Sequence, residues 1–372
     1  MRFDIFFRTI YGIISKLHHV IAWPKQMPAK PKSIAFIGMD GIGNTLMSLP
    51  AIKEFKRKSP KTHVTLMVLD NGSFELIKDA TYIDKAIKIK KGDGRFIRPI
   101  RALRHAKPEV IVFLQPTSIR KSIIGLLSGV KNRICYQEIC GKIRNCSYLC
   151  NLSLPNTTTK HDIEKNQELV EYLLENKIEI SNKSLIEPKK EEINFAKQVL
   201  KKNRISKKDT ILGIHPGCGR KLAIKEWPIQ HFSTLMRLVI KNKKWKILVF
   251  LGPDEIEKTK EIPKNKNIVV IKKTTINQTA ALINQCNLFL SNDSGLGHMA
   301  SFLGLPTLVI MGGPGDPKEI RPYFNGKVIF KDLKCQPCQN KIRTIEECKN
   351  KRRCLTEIKP DEVYKKLLSM KN

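Results

Sequence analysis

From Ser33 onward the chain alternates short apolar runs with segments whose apolar residues recur at helical spacing. THVTLMVL (62–69) and EVIVFLQP (109–116) read as strands, with helix-period segments near 46–58, 97–106 and 119–128. A polar stretch around 181–192, SNKSLIEPKKEE, interrupts the pattern and reads as a linker. The alternation then restarts with TILGIHPG (210–217), a helix near 229–241, KILVFLG (246–252) and NIVVI (267–271). It ends with a helix near 277–285, NLFLSND (287–293), a helix near 295–303 and PTLVIMG (306–312). Strands alternating with helices predict parallel sheets joined by right-handed crossovers, and the restart predicts two doubly wound α/β domains. The expected divisions are an extension over 1–30, a first domain over 31–184, a second over 185–356 and a C-terminal helix over 357–372. Ligands of such sheets sit beyond the carboxyl ends of the strands, so two facing domains would form a cleft.

The opening MRFDIFFRTIYGIISKLHHVIAWPK puts Phe3, Phe6, Phe7, Ile10, Ile14, Leu17 and Ile21 on one helical stripe, away from Arg2, Arg8, Ser15, Lys16 and His19. Such a helix can lie on a membrane surface or pack on the protein body. Charge breaks its apolar stretches and no small-residue cleavage site follows, which argues against a secretory signal. With no run of about 20 uncharged apolar residues, a soluble or peripheral chain is expected.

Composition adds a strong bias. The 372 residues are 41% hydrophobic and carry a formal charge of +34, enough apolar residues for two cores and a large positive surface. An anionic partner follows: nucleic acid, an acidic membrane face, or a phosphorylated small molecule or lipid. A generally lysine-rich composition is the plainer account. The ten cysteines do not form a small secreted framework and suit a reducing compartment. Four of them, Cys335, Cys338, Cys348 and Cys354 in CQPCQNKIRTIEECKNKRRC, are candidate zinc ligands. The wider CxxxxxC spacing of the second pair favours free thiols or a labile disulfide over zinc.

The turns carry the candidate chemistry. NLFLSNDSGLGHMAS is a strand that breaks at Asp293, Ser294 and Gly295 into a helix, whose free first amides attract phosphate unless Asp293 or Ser294 caps them. HPGCGRKLAIKEWP brings Arg220, Lys221 and Lys225 to a second turn, where they would complement a diphosphate. Gly38, Gly41 and Gly43 are spaced GxxGxG, and no GxxxxGK[ST] loop is present, which removes support from nucleotide hydrolysis and dinucleotide redox chemistry. Lys85 to Lys107 is densely basic, with Arg98, Arg101 and Arg104 at a spacing of three. It suits a phosphorylated headgroup or is a solvated face. Arg120 and Lys121 follow a strand and would reach an acceptor carboxylate or phosphate.

Taken together, GIGNTLMSLPAIKEF, HPG…KEWP, NDSGLGHMASFLGLPTLVIMGGPGDP and the trailing CQPC…C…CL..I.PDEV resemble the heptosyltransferase family, glycosyltransferase family nine, from about Ser33 to the end. The resemblance implies a GT-B fold: two Rossmann-like domains facing a cleft, acceptor in the first and nucleotide-sugar in the second. It implies inverting transfer with no metal or cofactor required, from an ADP-heptose donor to the phosphorylated inner core of lipopolysaccharide or lipooligosaccharide. It also implies a cytoplasmic location, peripheral at an anionic membrane surface, with no nucleic-acid partner. By position, Ser294, Gly295 and Leu296 match the diphosphate turn, Asp293 the acid at the donor sugar, and His298 a first-turn residue of that helix. Lys225 matches the lysine that meets the donor phosphates, and Asp254 and Glu255 fall near the nucleoside contact. Gly43, Arg120 and Lys121 fall on the acceptor side. One position departs from the family: the residue after the second glycine of the first turn is commonly an aspartate that takes the acceptor's proton, and here it is Asn44. An amide orients a hydroxyl but accepts no proton. Asp40, four residues earlier, is the nearest carboxylate, and Asn44 is otherwise an N-cap or the mark of an inactive scaffold that only binds a sugar nucleotide. A basic nucleic-acid-binding protein is the rival from another class; charge alone permits it, but no binding motif supports it.

Overall fold

A computed structural model describes residues 28, 30–38, 41–89, 96–115, 118–137, 149–155, 160–183, 185–338 and 344–371. The opening amphipathic stripe, Asp40 and the part of the basic span over 90–95 lie outside the described residues. The chain divides into two compact units, Met1–Ser181 and Asn182–Asn372.

The first unit runs β1 (Ser33–Ile37), α1 (Ile42–Lys58), β2 (His63–Val68), α2 (Asn71–Ile77), β3 (Lys85–Lys88) and α3 (Ile97–Ala106). It continues with β4 (Val110–Phe113), α4 (Ile119–Leu127), β5 (Asn132–Tyr136), β6 (Leu152–Leu154) and α5 (Asp162–Leu174). Its sheet is parallel in the order β3-β2-β1-β4-β5-β6. Central strands covered by helices on both faces must be apolar throughout. Accordingly, Ile34 to Ile37 of β1 and all of β4 are buried. Phe36 meets Phe55 of α1 edge-on at 5.6 Å. The sequence pattern passed over β3, β5 and β6; β3 and β6 are short and only partly buried, so neither presents a clean apolar run.

The second unit repeats the plan with α6 (Lys190–Lys202), β7 (Thr210–His215), a 3-10 turn (Arg220–Lys225), α7 (Ile229–Val239), β8 (Trp245–Phe250) and a second 3-10 turn (Pro253–Glu261). There follow β9 (Ile268–Ile271), α8 (Ile276–Ile283), β10 (Leu288–Asn292), α9 (Gly295–Phe302), β11 (Thr307–Ile310) and α10 (Pro317–Ile320). β12 (Gly326–Ile329), α11 (Arg353–Thr356) and α12 (Pro360–Leu368) complete it. The predicted linker is partly helix, since α6 begins at Lys190, inside the polar stretch. The strand order β12-β11-β10-β7-β8-β9 reproduces the first sheet. Each sheet therefore reverses its winding between its first and fourth strands, β1 and β4 in one and β7 and β10 in the other. That is where doubly wound sheets bind ligands. The second core joins Leu212, Ile214, Trp227, Phe232, Ile247, Val249, Leu290, Leu308 and Leu355. Each such side chain contributes roughly 1.5–3 kcal/mol by burial. Among the described residues no helix is long and apolar enough to cross a membrane.

Candidate active site

At the switch point of the second sheet, the register pairs Ser291 of β10 with His215 of β7. The chain leaves β10 through Asp293 and Ser294 and enters α9 at Gly295. Ser294 holds the N-cap position in extended conformation, yet its hydroxyl makes no capping hydrogen bond. It turns to His215 instead, whose Nδ1 lies 2.9 Å from Ser294 Oγ. The first-turn amides of α9 thus keep the anion-attracting character of a helix start. Gly297 lets this helix sit against the strand, since a Cβ there would collide with Ser291 Oγ.

The other ring nitrogen of His215, Nε2, lies 3.0 Å from Glu255 Oε2. Glu255 also accepts from the amides of Gly252 at 2.8 Å and Gly219 at 3.1 Å. Burial opposes the ionised carboxylate, but hydrogen bonding and attraction to His215, with the two amides, lower its pKa to about 2. A Cβ at Gly217 would overlap the Glu255 carboxyl, which makes glycine the residue that fits in the HPG turn.

Asp293 accepts from Lys225 Nζ at 2.6 Å, with both side chains largely buried. Burial works against the ammonium, yet Asp293 more than offsets it and leaves the Lys225 pKa raised. Trp227 anchors this lysine: its ring packs on Phe232 at 4.8 Å and its indole donates to the Ile358 carbonyl at 2.9 Å. The Trp227 amide donates to Asn292 Oδ1 at 2.9 Å, and Asn292 Nδ2 donates to the Pro216 carbonyl at 2.8 Å. One buried amide side chain therefore holds both loops around the site. His298 is buried with Nδ1 unpartnered, and burial lowers its pKa despite Asp293. A Cβ at Gly315, in GGPGDP, would stand 3.1 Å from Asp293 Oδ2, so that loop closes on the acid.

Lys225, Asp293, Ser294, Gly295, Leu296 and His298 thus gather at one sheet end. Glu255 joins them, buried and with both oxygens engaged, whereas Asp254 beside it is exposed. His215, Asn292 and Trp227 were given no role from sequence. The signal for His215 was its place at the carboxyl end of a strand, immediately before Pro-Gly.

In the first unit Asn44 is the third residue of α1, half-buried, and the cap position is Gly41. The N-cap role expected of Asn44 is therefore corrected: the helix starts earlier than its apolar pattern suggested, and Gly43 is helical too. Beside Asn44, Thr45 Oγ1 donates to Ser73 Oγ at 3.0 Å. Ser73 in turn gives its amide and hydroxyl to Asp70, at 2.8 and 2.5 Å, so the Asp70 carboxylate is committed to capping α2. Ser118 caps α4; within that helix Arg120 is half-buried and Lys121 is 1% exposed. Lys121 Nζ donates to the Leu114 carbonyl at 3.3 Å, at the end of β4, and so points inward rather than to an open surface.

Cys335, Cys338, Cys348 and Cys354 are free thiols lining one small cavity of about 30 Å³. Cys354 Sγ accepts the Gly313 amide and Cys348 Sγ the Arg352 amide, each at 3.3 Å. Among the described residues no three His, Cys, Asp or Glu side chains are placed to hold a metal ion, so this geometry does not supply the expected zinc ligands. The segment instead braces the site. The Arg352 guanidinium donates to the Ala223 and Glu226 carbonyls at 3.3 and 3.0 Å, on either side of Lys225.

The model of glycosyltransferase family 9 (heptosyltransferase) matches residues 100–349. The chain belongs to this family. Its fold is the α/β fold of GT-B heptosyltransferases, and its activity is glycosyl transfer of the heptosyltransferase type. Lipooligosaccharide heptosyltransferase 2 of Campylobacter jejuni subsp. jejuni serotype O:6 is 30% identical over 234 residues, 58% of this chain and 70% of that protein. The protein of the same name in Haemophilus ducreyi is 25% identical over 362 residues, 90% of this chain and 98% of its own. The structure of E. coli heptosyltransferase WaaC with ADP superposes with a TM-score of 0.66 at 18% identity, covering 91% of this chain and 99% of that one.

Proposed function

We propose that the second unit of this family 9 enzyme binds the diphosphate of ADP-heptose at the start of α9. The acceptor is lipopolysaccharide or lipooligosaccharide, which the names of the relatives print, and within it the phosphorylated inner core that the family resemblance implies. The observation that carries the donor reading is the uncapped Ser294 helix start, with the buried Lys225–Asp293 pair beside it at the switch point. In an inverting displacement the acceptor oxygen bonds to the anomeric carbon as the bond to the β-phosphate oxygen breaks. The electron pair leaves on ADP, where Lys225 and the α9 amides stabilise the new charge. Gly295→Val should weaken ADP binding tenfold or more with the fold intact; unchanged affinity by calorimetry refutes the donor site.

The acceptor proton goes to a carboxylate. We assign Asp40, two positions before Ile42 in the sequence, with Asn44 orienting the hydroxyl. Asp40→Asn should lower transfer by roughly 10² to 10⁴, the range for removing a general base. Donor affinity should stay near wild type, and full activity would place the base elsewhere. Asn44→Asp should preserve or raise the rate. If only that variant transfers, the wild-type chain is a scaffold that binds a sugar nucleotide without transfer.

A finer reading places the enzyme at an anionic membrane face. On α3, Ile97, Arg98, Arg101, Arg104, His105 and Lys107, at the helix end, are exposed. Arg104 reaches across to donate to the carbonyl of Leu127, itself 46% exposed. Apolar tips flanking a basic middle suit a lipid surface.

A further inference from the structure

His215 is 6% exposed and lies between Glu255 and Ser294, which are 4% and 8% exposed. Its protonation decides what the serine can do. Glu255 is an acceptor toward every partner described above, so the Nε2 atom facing it carries a proton. If His215 is neutral, its Nδ1 is then bare and takes the only proton of Ser294, leaving two lone pairs of Oγ toward an incoming anion. If His215 is an imidazolium, Nδ1–H donates to Ser294 Oγ and the serine proton is released for another acceptor.

We propose that His215 is a positioning residue for the donor: held as imidazolium between Glu255 and Ser294, it frees the Ser294 hydroxyl to donate to a phosphate oxygen of a nucleoside diphosphate. The assignment rests on the donor-site reading above and adds a protonation state to it. Two features on different elements support it. Ser294 stands at an N-cap yet turns its hydroxyl to the imidazole rather than to its own helix. Gly217 passes so close to Glu255 that no side chain fits, which keeps the carboxylate pressed on the ring. The same proton gives an anionic ligand a neutral Glu255–His215 pair to approach rather than a net negative one.

Among the described side chains on these elements, the other ionisable groups include Lys225 and Asp293, paired at 2.6 Å, Cys218 on the loop after β7, and His298 on α9. Burial pushes the Cys218 thiol far up and holds the His298 pKa below that of a free imidazole. Glu226 is taken by Lys258 at 2.6 Å.

The test uses the full chain labelled with ¹⁵N-histidine, in which His215 is one of eight histidines and is assigned by difference with H215Q. With saturating ADP near neutral pH, both ring nitrogens of His215 should carry protons; an unprotonated Nδ1 in the complex overturns the proposal. By calorimetry, H215Q should bind ADP roughly ten- to hundredfold more weakly, the weight of one hydrogen bond to a charged group. S294A should lose a similar factor, and the double variant little more than either alone. Additive losses also overturn it. If H215Q does not fold, resonances assigned through their coupling to Ser294 in the wild-type complex decide. Absence of ADP binding to the wild-type chain removes the donor-site reading itself, whereas binding with a neutral His215 removes this proposal alone.

Discussion

Lys225 and Asp293 form the buried ion pair of the proposed donor site. Both are largely buried and bonded at 2.6 Å, so each keeps the other's charge affordable in the interior. Lys225→Met leaves a buried carboxylate uncompensated and should destabilise the fold by roughly 3–5 kcal/mol, as breaking one side of a buried pair does. Adding Asp293→Asn should recover much of that loss. A thermal or denaturant double-mutant cycle checks it: if Lys225→Met alone costs under about 1 kcal/mol, the pair is solvated as surface pairs are. The resemblance places Lys225 at the donor phosphates and Asp293 at the donor sugar but does not join them. They are 68 positions apart, and the ion pair exists only because Trp227 pins one loop beside the end of β10.

Among the elements, α3 and α9 show how much a helix's own sequence says. The arginines spaced by three put α3 at Ile97–Ala106, as expected, and its Pro99 and Leu103 face inward while the basic face stays out. Ile97 is 56% exposed, the largest such exposure among the described apolar side chains. If the face meets anionic lipid, Arg98→Glu with Arg101→Glu should weaken binding to phosphatidylglycerol vesicles by about 1 kcal/mol or more per residue, leaving neutral vesicles unaffected. Cosedimentation checks this; equal binding to both vesicle types would make it a solvated face. The serine and glycine that open α9 were equally legible. That Ser294 would not cap its own helix was not, because its partner arrives from β7.

At the scale of the whole molecule, every residue assigned to the diphosphate lies within Asn182–Asn372, a unit with its own sheet and core. A fragment beginning at Asn182 should therefore fold and bind ADP within about tenfold of the full chain's affinity. Calorimetry with circular dichroism checks it, and a folded fragment that does not bind ADP would show that the first unit supplies donor contacts. The sequence by itself determined the number of Rossmann-like units, the central strands and the turns that carry the chemistry, because buried parallel strands and phosphate-binding turns impose local patterns of apolar runs and glycines. It also pointed to the family through four separated motifs. Only the tertiary structure decided that His215 joins Glu255 to Ser294, that Asn292 ties two loops together, that Asn44 sits inside its helix, and that four cysteines share one cavity. Those are contacts between distant segments, and nothing in a local pattern encodes which strand end will stand beside which loop.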